Sequence, residues 1–152
     1  MIRLTLPWPV SANVYWRSFV PRGSSRAVVT LSDEAKEYKL AVAAAVKSAG
    51  ITKPIAGRVA VWVRLYPHRP KDWAKRARLN PTGWDDDVRS IDLDNANKVL
   101  LDSLKGLAFE DDRWVRRLNS ERMEPDGAAR VLVAIAAIRP VNPQASLLEQ
   151  PA

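Results

Sequence analysis

Between Gly57 and Tyr66 the chain alternates. Val59, Val61, Val63 and Leu65 fall on one side, and Arg58, Ala60, Trp62, Arg64 and Tyr66 on the other. A side-chain period of two predicts a half-buried strand, its apolar side turned toward a core. Such a strand cannot stand alone. It requires neighbours to complete its hydrogen bonds and a layer to cover its apolar face.

The rest of the chain offers both. Ile2 to Leu6 predicts a short strand, stopped by Pro7-Trp8-Pro9 because proline cannot donate to a ladder. Residues 11–26 read as a loop with turns, and 28–31 as a brief extended stretch. Ser32 is a candidate N-cap, with Asp33 and Glu34 favourable in the first turn of a helix that runs to about Ser48 and stops at Gly50. Its apolar stripe would be Tyr38, Ala41, Val42, Ala45, Val46 and Ala49. A second helix should start near Leu93 and end near Lys105, with Gly106 as its stop signal. Residues 113–123 predict a strand, Pro125-Asp126-Gly127 a turn, and 129–138 a last strand. That strand is apolar on both faces and therefore central or covered by helices. Residues 67–91 form a long loop, in which Trp73 to Leu79 could make one or two helical turns. Loops of that length in a small domain are uncommon and often functional. The order predicts one small α+β or α/β domain over residues 1–139, a mixed β-sheet with two main helices, followed by a loose tail at 140–152.

Several classes fall away. The chain has 152 residues and no cysteine, so disulfides and thiolate metal sites are excluded. Its single histidine, His68, argues against a zinc cluster and reads as a loop residue or weak phosphate contact rather than a general base. No apolar run suggests a signal peptide or a spanning helix, and a cytoplasmic location is expected. A formal net charge of +7 points toward a polyanionic partner.

That charge is unevenly spread. From Lys53 to Arg78 there are eight basic residues and one acid, and from Asp85 to Asp112 nine acids and three bases. The blocks are either a solvated, self-pairing surface or a phosphate-binding surface beside a divalent-metal site. On the second helix Leu93, Ala96, Val99, Leu100 and Leu104 share one face, while Asp94, Lys98, Asp102 and Lys105 share the other. Alone this is an amphipathic helix with surface ion pairs through Lys98. Asp92, however, joins Asp94 where loop becomes helix, with Asn95 beside them. Glu110, Asp111 and Asp112 follow on a short return. Clustered carboxylates repel one another, and Mg²⁺ relieves that cost by taking one or two carboxylates together with a substrate phosphate. A metal there suits phosphodiester hydrolysis, with Lys98 on the phosphate or the nucleophile. Composition leaves DNA, RNA and small phosphate esters open.

At these residues the chain resembles the RusA family of Holliday junction resolvases. The resemblance lies in Asp92-Leu93-Asp94-Asn95, Lys98, Asp102-Ser103-Leu104 and Phe109-Glu110-Asp111-Asp112. It extends to Leu4-Thr5-Leu6-Pro7-Trp8-Pro9, Ser11, Asn13 and Ser32, and spans roughly residues 2–138. It implies a small, often prophage-borne endodeoxyribonuclease in which a homodimer binds a four-way DNA junction and makes paired symmetric nicks with Mg²⁺, for which Mn²⁺ could substitute. The catalytic and metal-holding aspartates then fall on Asp92, Asp94 and Asp112, and the essential lysine on Lys98. Asn95, Asp102 and Asp111 become supporting residues. The 67–91 segment is longer than in compact members. Its Arg69, Lys71, Lys75, Arg76 and Arg78 are expected to hold DNA through phosphates, which set register rather than sequence preference. Asp85, Asp86 and Asp87 read as a solvated loop, an auxiliary metal contact or a brake on nonspecific binding. Trp73 and Trp84 would either stack on unpaired bases or pin the loop. The exposed side of strand 57–66, with Trp62 and Tyr66, is the expected dimer face. A non-cleaving branched-DNA module and a metal nuclease for other nucleic-acid structures are the alternatives.

Overall fold

The computed structural model describes residues 1–141. In chain order the elements are β1 (Ile2–Pro7), α1 (Ala12–Tyr15), β2 (Trp16–Phe19), β3 (Val28–Leu31), α2 (Asp33–Ser48), β4 (Val59–Tyr66), α3 (Trp73–Leu79), α4 (Leu93–Leu104), a single 3₁₀ turn (Asp112–Trp114), β5 (Val115–Arg122) and β6 (Arg130–Ala137). The four-stranded sheet has the order β1-β6-β4-β5. Three neighbours make two antiparallel pairings, β1 with β6 and β6 with β4, while β4 and β5 run parallel. The fold is therefore α+β with a mixed sheet, as the sequence predicts.

A parallel pair needs a crossover, because no tight turn can return the chain to the same end of the sheet. Here α4 is that crossover. It lays Ala96, Val99, Leu100 and Leu104 into the same core as Val59, Val61, Val63 and Leu65. The opposite side of β4 stays open, with Trp62 and Arg64 exposed. The last strand is central, and it alternates: Val131, Val133 and Ile135 are buried while Leu132, Ala134 and Ala136 are half-buried.

Helix α2 starts where Ser32 caps it, the Ser32 Oγ accepting from the Ala35 N–H at 3.1 Å. Its buried face is Ala35, Tyr38, Val42 and Val46. The expected stripe was broader, and Ala41 and Ala49 are exposed. Alanine favours helix without demanding burial, so it marks the element better than the face.

The expected loop at 11–26 is corrected in its first half. Ser11 caps the one-turn α1, and β2 then pairs antiparallel with β3 in a separate two-stranded ribbon. Ribbon register depends on the partner strand, which local pattern does not contain. The expected tail falls mostly on residues 142–152, outside the described residues. Among the described residues no helix is long and apolar enough to cross a membrane.

Candidate active site

The 67–91 segment leaves the carboxyl end of β4 and returns at the amino end of α4. Between them lies a cavity of about 910 Å³, lined by Trp8, Asn13, His68, Arg76, Asp87, Arg89, Asp92 and Asn95 among others. Ligand sites in sheets with parallel crossovers collect at this end, where loops diverge beyond the strands.

Asp92 is the N-cap residue of α4, yet its side chain makes no capping hydrogen bond. Asp94 stands in the first helical turn, and both are exposed. Two carboxylates at a helix amino end are favoured by the helix dipole. Asn95 is half-buried in the cavity wall. Lys98, one turn beyond Asp94, is exposed, and among the described residues it is in no ion pair. The surface bridge from Lys98 to Asp102 is therefore not formed.

Asp102 is engaged elsewhere. It accepts a hydrogen bond from the buried Tyr15 hydroxyl, and it meets Lys105 Nζ at 3.4 Å and Lys39 Nζ at 3.8 Å. Burial, reinforced by this carboxylate, holds the Tyr15 phenol well above its ordinary value. Ser103, also buried, donates to the Val99 carbonyl at 2.7 Å. These contacts tie α1, α2 and α4 together. Tyr15, Lys39 and Lys105 were not legible as a group, since they come from three separate segments.

Asp112 lies at the far end. Its 3₁₀ turn leads directly into β5, whose first residue Val115 pairs with Val59, the first residue of β4. The aspartates at the start of α4 sit beyond the last residues of the same strands, and Ser120, late in β5, donates to Asn97 in α4 at 2.7 Å. Helix α4 has 12 residues, about 18 Å at 1.5 Å per residue. So Asp92 and Asp94 share one end of the crossover and Asp112 occupies the other. Among the described residues no group of three or more His, Cys, Asp or Glu side chains is close enough to hold a metal ion. Within the single chain the structure brings Asp92 and Asp94 together and leaves Asp112 apart from them. A crossover helix carries the chain the length of the sheet, a separation hidden by the short return after Gly106. Asp111 caps the 3₁₀ turn through the Arg113 N–H at 3.0 Å. That N–H, followed by a side-chain hydrogen bond with Asp112 and smaller help from the charges of Arg113 and Lys105, keeps its carboxyl below the usual range.

Of the basic stretch, Arg76 lines the cavity. Lys75, Arg76 and Arg78 lie on α3, while Arg69 stacks its guanidinium 4.4 Å from the Trp73 ring. Trp84 is buried and donates its indole N–H to Glu124 at 2.7 Å, so it pins the loop. Trp73 is 38% exposed.

A family model described as endodeoxyribonuclease RusA matches residues 7–136. Comparison with curated proteins found no match.

Proposed function

The chain belongs to the RusA endodeoxyribonuclease family, and from that premise we propose that it resolves four-way DNA junctions as a homodimer with a divalent metal at each active site. Its place of action is then the cytoplasm. The observation that carries this reading is the division of acids along α4: two exposed carboxylates at one end, in no ion pair among the described residues, and Asp112 at the other.

The donor set fits Mg²⁺, with Mn²⁺ as a substitute, because exposed carboxylates are hard oxygen ligands that leave room for phosphate. Asp92 and Asp94 would hold the ion, joined by Asp112 of the partner subunit. When bound, the ion would favour attack on phosphorus by lowering the cost of developing negative charge. Lys98, on the next turn, offers an ammonium to a non-bridging phosphate oxygen. Asn95 offers an amide to orient a neighbouring carboxylate. Arg69, Lys71, Lys75, Arg76 and Arg78 would hold DNA backbone at the cavity mouth.

The sheet suggests how a partner could complete the site. β5 is an edge strand of eight residues without proline, and an edge strand leaves a row of backbone N–H and C=O groups open to another strand. Antiparallel pairing of β5 with its own copy reverses strand direction, bringing the amino end of one β5 to the carboxyl end of the other. Centring the pair on Asn119 sets Arg117 opposite Glu121 of the partner subunit, a favourable cross-strand pairing, and Arg116 opposite Arg122 of the partner subunit, a repulsive one. The open face bearing Trp62 is less suited, because it lies across the sheet from α4. A two-fold dimer also matches a junction cut on two opposed strands.

The first test is cleavage of a labelled four-way junction, beside linear duplex and RNA, with and without Mg²⁺. Preferential paired nicking of the junction is expected, and equal cutting of linear duplex would overturn junction resolution. The second test mixes two inactive proteins, Asp92→Asn/Asp94→Asn and Asp112→Asn. If sites are shared, each heterodimer keeps one whole site and nicking returns. If every site is built within one chain, the mixture stays inactive.

A further inference from the structure

Of the basic stretch 69–78, Arg76 is the residue that lines the cavity beside Asp92. Its guanidinium is already engaged. Nε donates to Asp72 Oδ1 at 2.9 Å, and Nη1 donates to Asp87 Oδ1 at 3.2 Å. Asp72 is an ordinary neighbour four residues back. Asp87 comes from the acidic run Asp85-Asp86-Asp87, on a separate part of the loop.

The turn that carries this run is anchored. Arg122 of β5 donates to the carbonyls of Asp85 and Val88 at 3.0 and 2.8 Å. Trp84 fixes it from below through Glu124. At Gly83 the side chains of Asp86 and Asn80 lie close against the backbone, at 2.8 and 3.1 Å from where a Cβ would stand. The backbone is thus held while the Asp87 side chain, 83% exposed, reaches to Arg76. A carboxylate oxygen at hydrogen-bond distance from a guanidinium stands where a phosphate oxygen would bind.

We propose that Asp87 is a resident phosphate mimic that occupies Arg76 until a DNA strand bent into the cavity displaces it, which makes Asp87 a specificity-determining residue. The inference rests on the reading of the chain as a junction nuclease. Duplex crossing the cavity mouth meets the acidic run, and Asp87 keeps its phosphates from Arg76. A strand that turns inward at a branch presents its phosphate to Arg76 and frees Asp87.

The test measures affinity against salt, in metal-free buffer, for linear duplex and four-way junction. The proteins are wild type, Asp87→Asn, Arg76→Ala and the double variant. Asp87→Asn should raise duplex affinity roughly two- to five-fold, the scale of an exposed ion pair. It should also steepen the duplex log–log salt slope by about 0.9, the signature of one added phosphate contact. The junction slope should stay unchanged, because Arg76 already meets phosphate there. In the Arg76→Ala background the substitution should change nothing. An equal gain without Arg76 would mean repulsion at a distance, and no gain at all would mean no competition; either overturns the proposal. A wild type that does not prefer junctions would defeat the junction reading, yet the coupling between Asp87 and Arg76 on duplex would still decide the mimicry.

Discussion

At the amino end of α4, Asp92 and Asp94 are exposed, and among the described residues neither is in an ion pair. At its carboxyl end Asp102, with a side chain only 20% exposed, is met by Tyr15, Lys39 and Lys105. The helix and the residue type are the same. The difference lies in whether the protein itself answers the charge. A half-buried carboxylate loses hydration and needs partners, so Asp102 is committed to holding three helices together. An exposed carboxylate needs none and stays available to an outside cation. The contrast separates an acid that the protein answers itself from acids left open to an outside cation.

The largest effect should come from the amino end. Asp92→Asn or Asp94→Asn keeps size and removes charge. Cleavage should fall by more than the roughly 10–100-fold typical of losing a residue that only supports a metal ligand. Melting temperature should barely move. Single-turnover cleavage and thermal denaturation of the same preparations check both halves. Near-normal cutting by Asp94→Asn would erase the distinction between the ends.

Lys98→Ala comes next, with cleavage reduced on the order of 10²-fold, as for loss of one donor aimed at charge developing in a transition state. Since Lys98 is in no ion pair among the described residues, stability should change by less than about 0.5 kcal/mol, like other surface substitutions. A marked loss of stability with cutting intact would move Lys98 to the structural class.

Asp102→Asn should behave in the opposite way. It weakens charge-assisted contacts to Tyr15, Lys39 and Lys105, at a cost of about 1.5–3 kcal/mol. Urea unfolding should show the loss, while cleavage per folded molecule stays close to wild type. If cleavage collapses instead, Asp102 belongs with the chemistry after all.

Much of this frame was legible from pattern. The period-two run at 59–65 and the apolar face of 93–104 report burial directly, because burial imposes the period. Ser32 and Gly106 mark helix ends through local backbone chemistry. The contrast along α4 was not legible. Asp94 and Asp102 share the polar side of a helical wheel, about 80° apart, and the packing of α1 and α2 against one end sets them apart. Asp112 looked close to Asp92 because the sequence shows a helix and a short return. That β5 starts beside the start of β4 follows from parallel pairing, a long-range choice.

The smallest effect isolates Tyr15 at the carboxyl end. Burial is the main reason its phenol holds a proton above the ordinary value of 10.0, and the Asp102 carboxylate adds to it. The folded state therefore keeps this proton at a pH where the unfolded chain has released it. Stability is complete below about pH 10 and falls as pH rises beyond it, by at most about 1.4 kcal/mol per pH unit for one group. Tyr38, buried and donating to the Pro7 carbonyl at 2.9 Å, is shifted the same way, mainly by burial. Tyr15→Phe should thus do two things. At neutral pH it loses the hydrogen bond to Asp102, worth about 1.5 kcal/mol. Above about pH 10 its stability should decline less steeply than that of wild type, with Tyr38 carrying the remaining slope. Urea midpoints from about pH 9 to about pH 11 measure both. Parallel wild-type and variant curves would mean that Tyr15 titrates as a solvent-exposed phenol does, and the carboxyl end of α4 would no longer count as the closed, self-answered half of the helix.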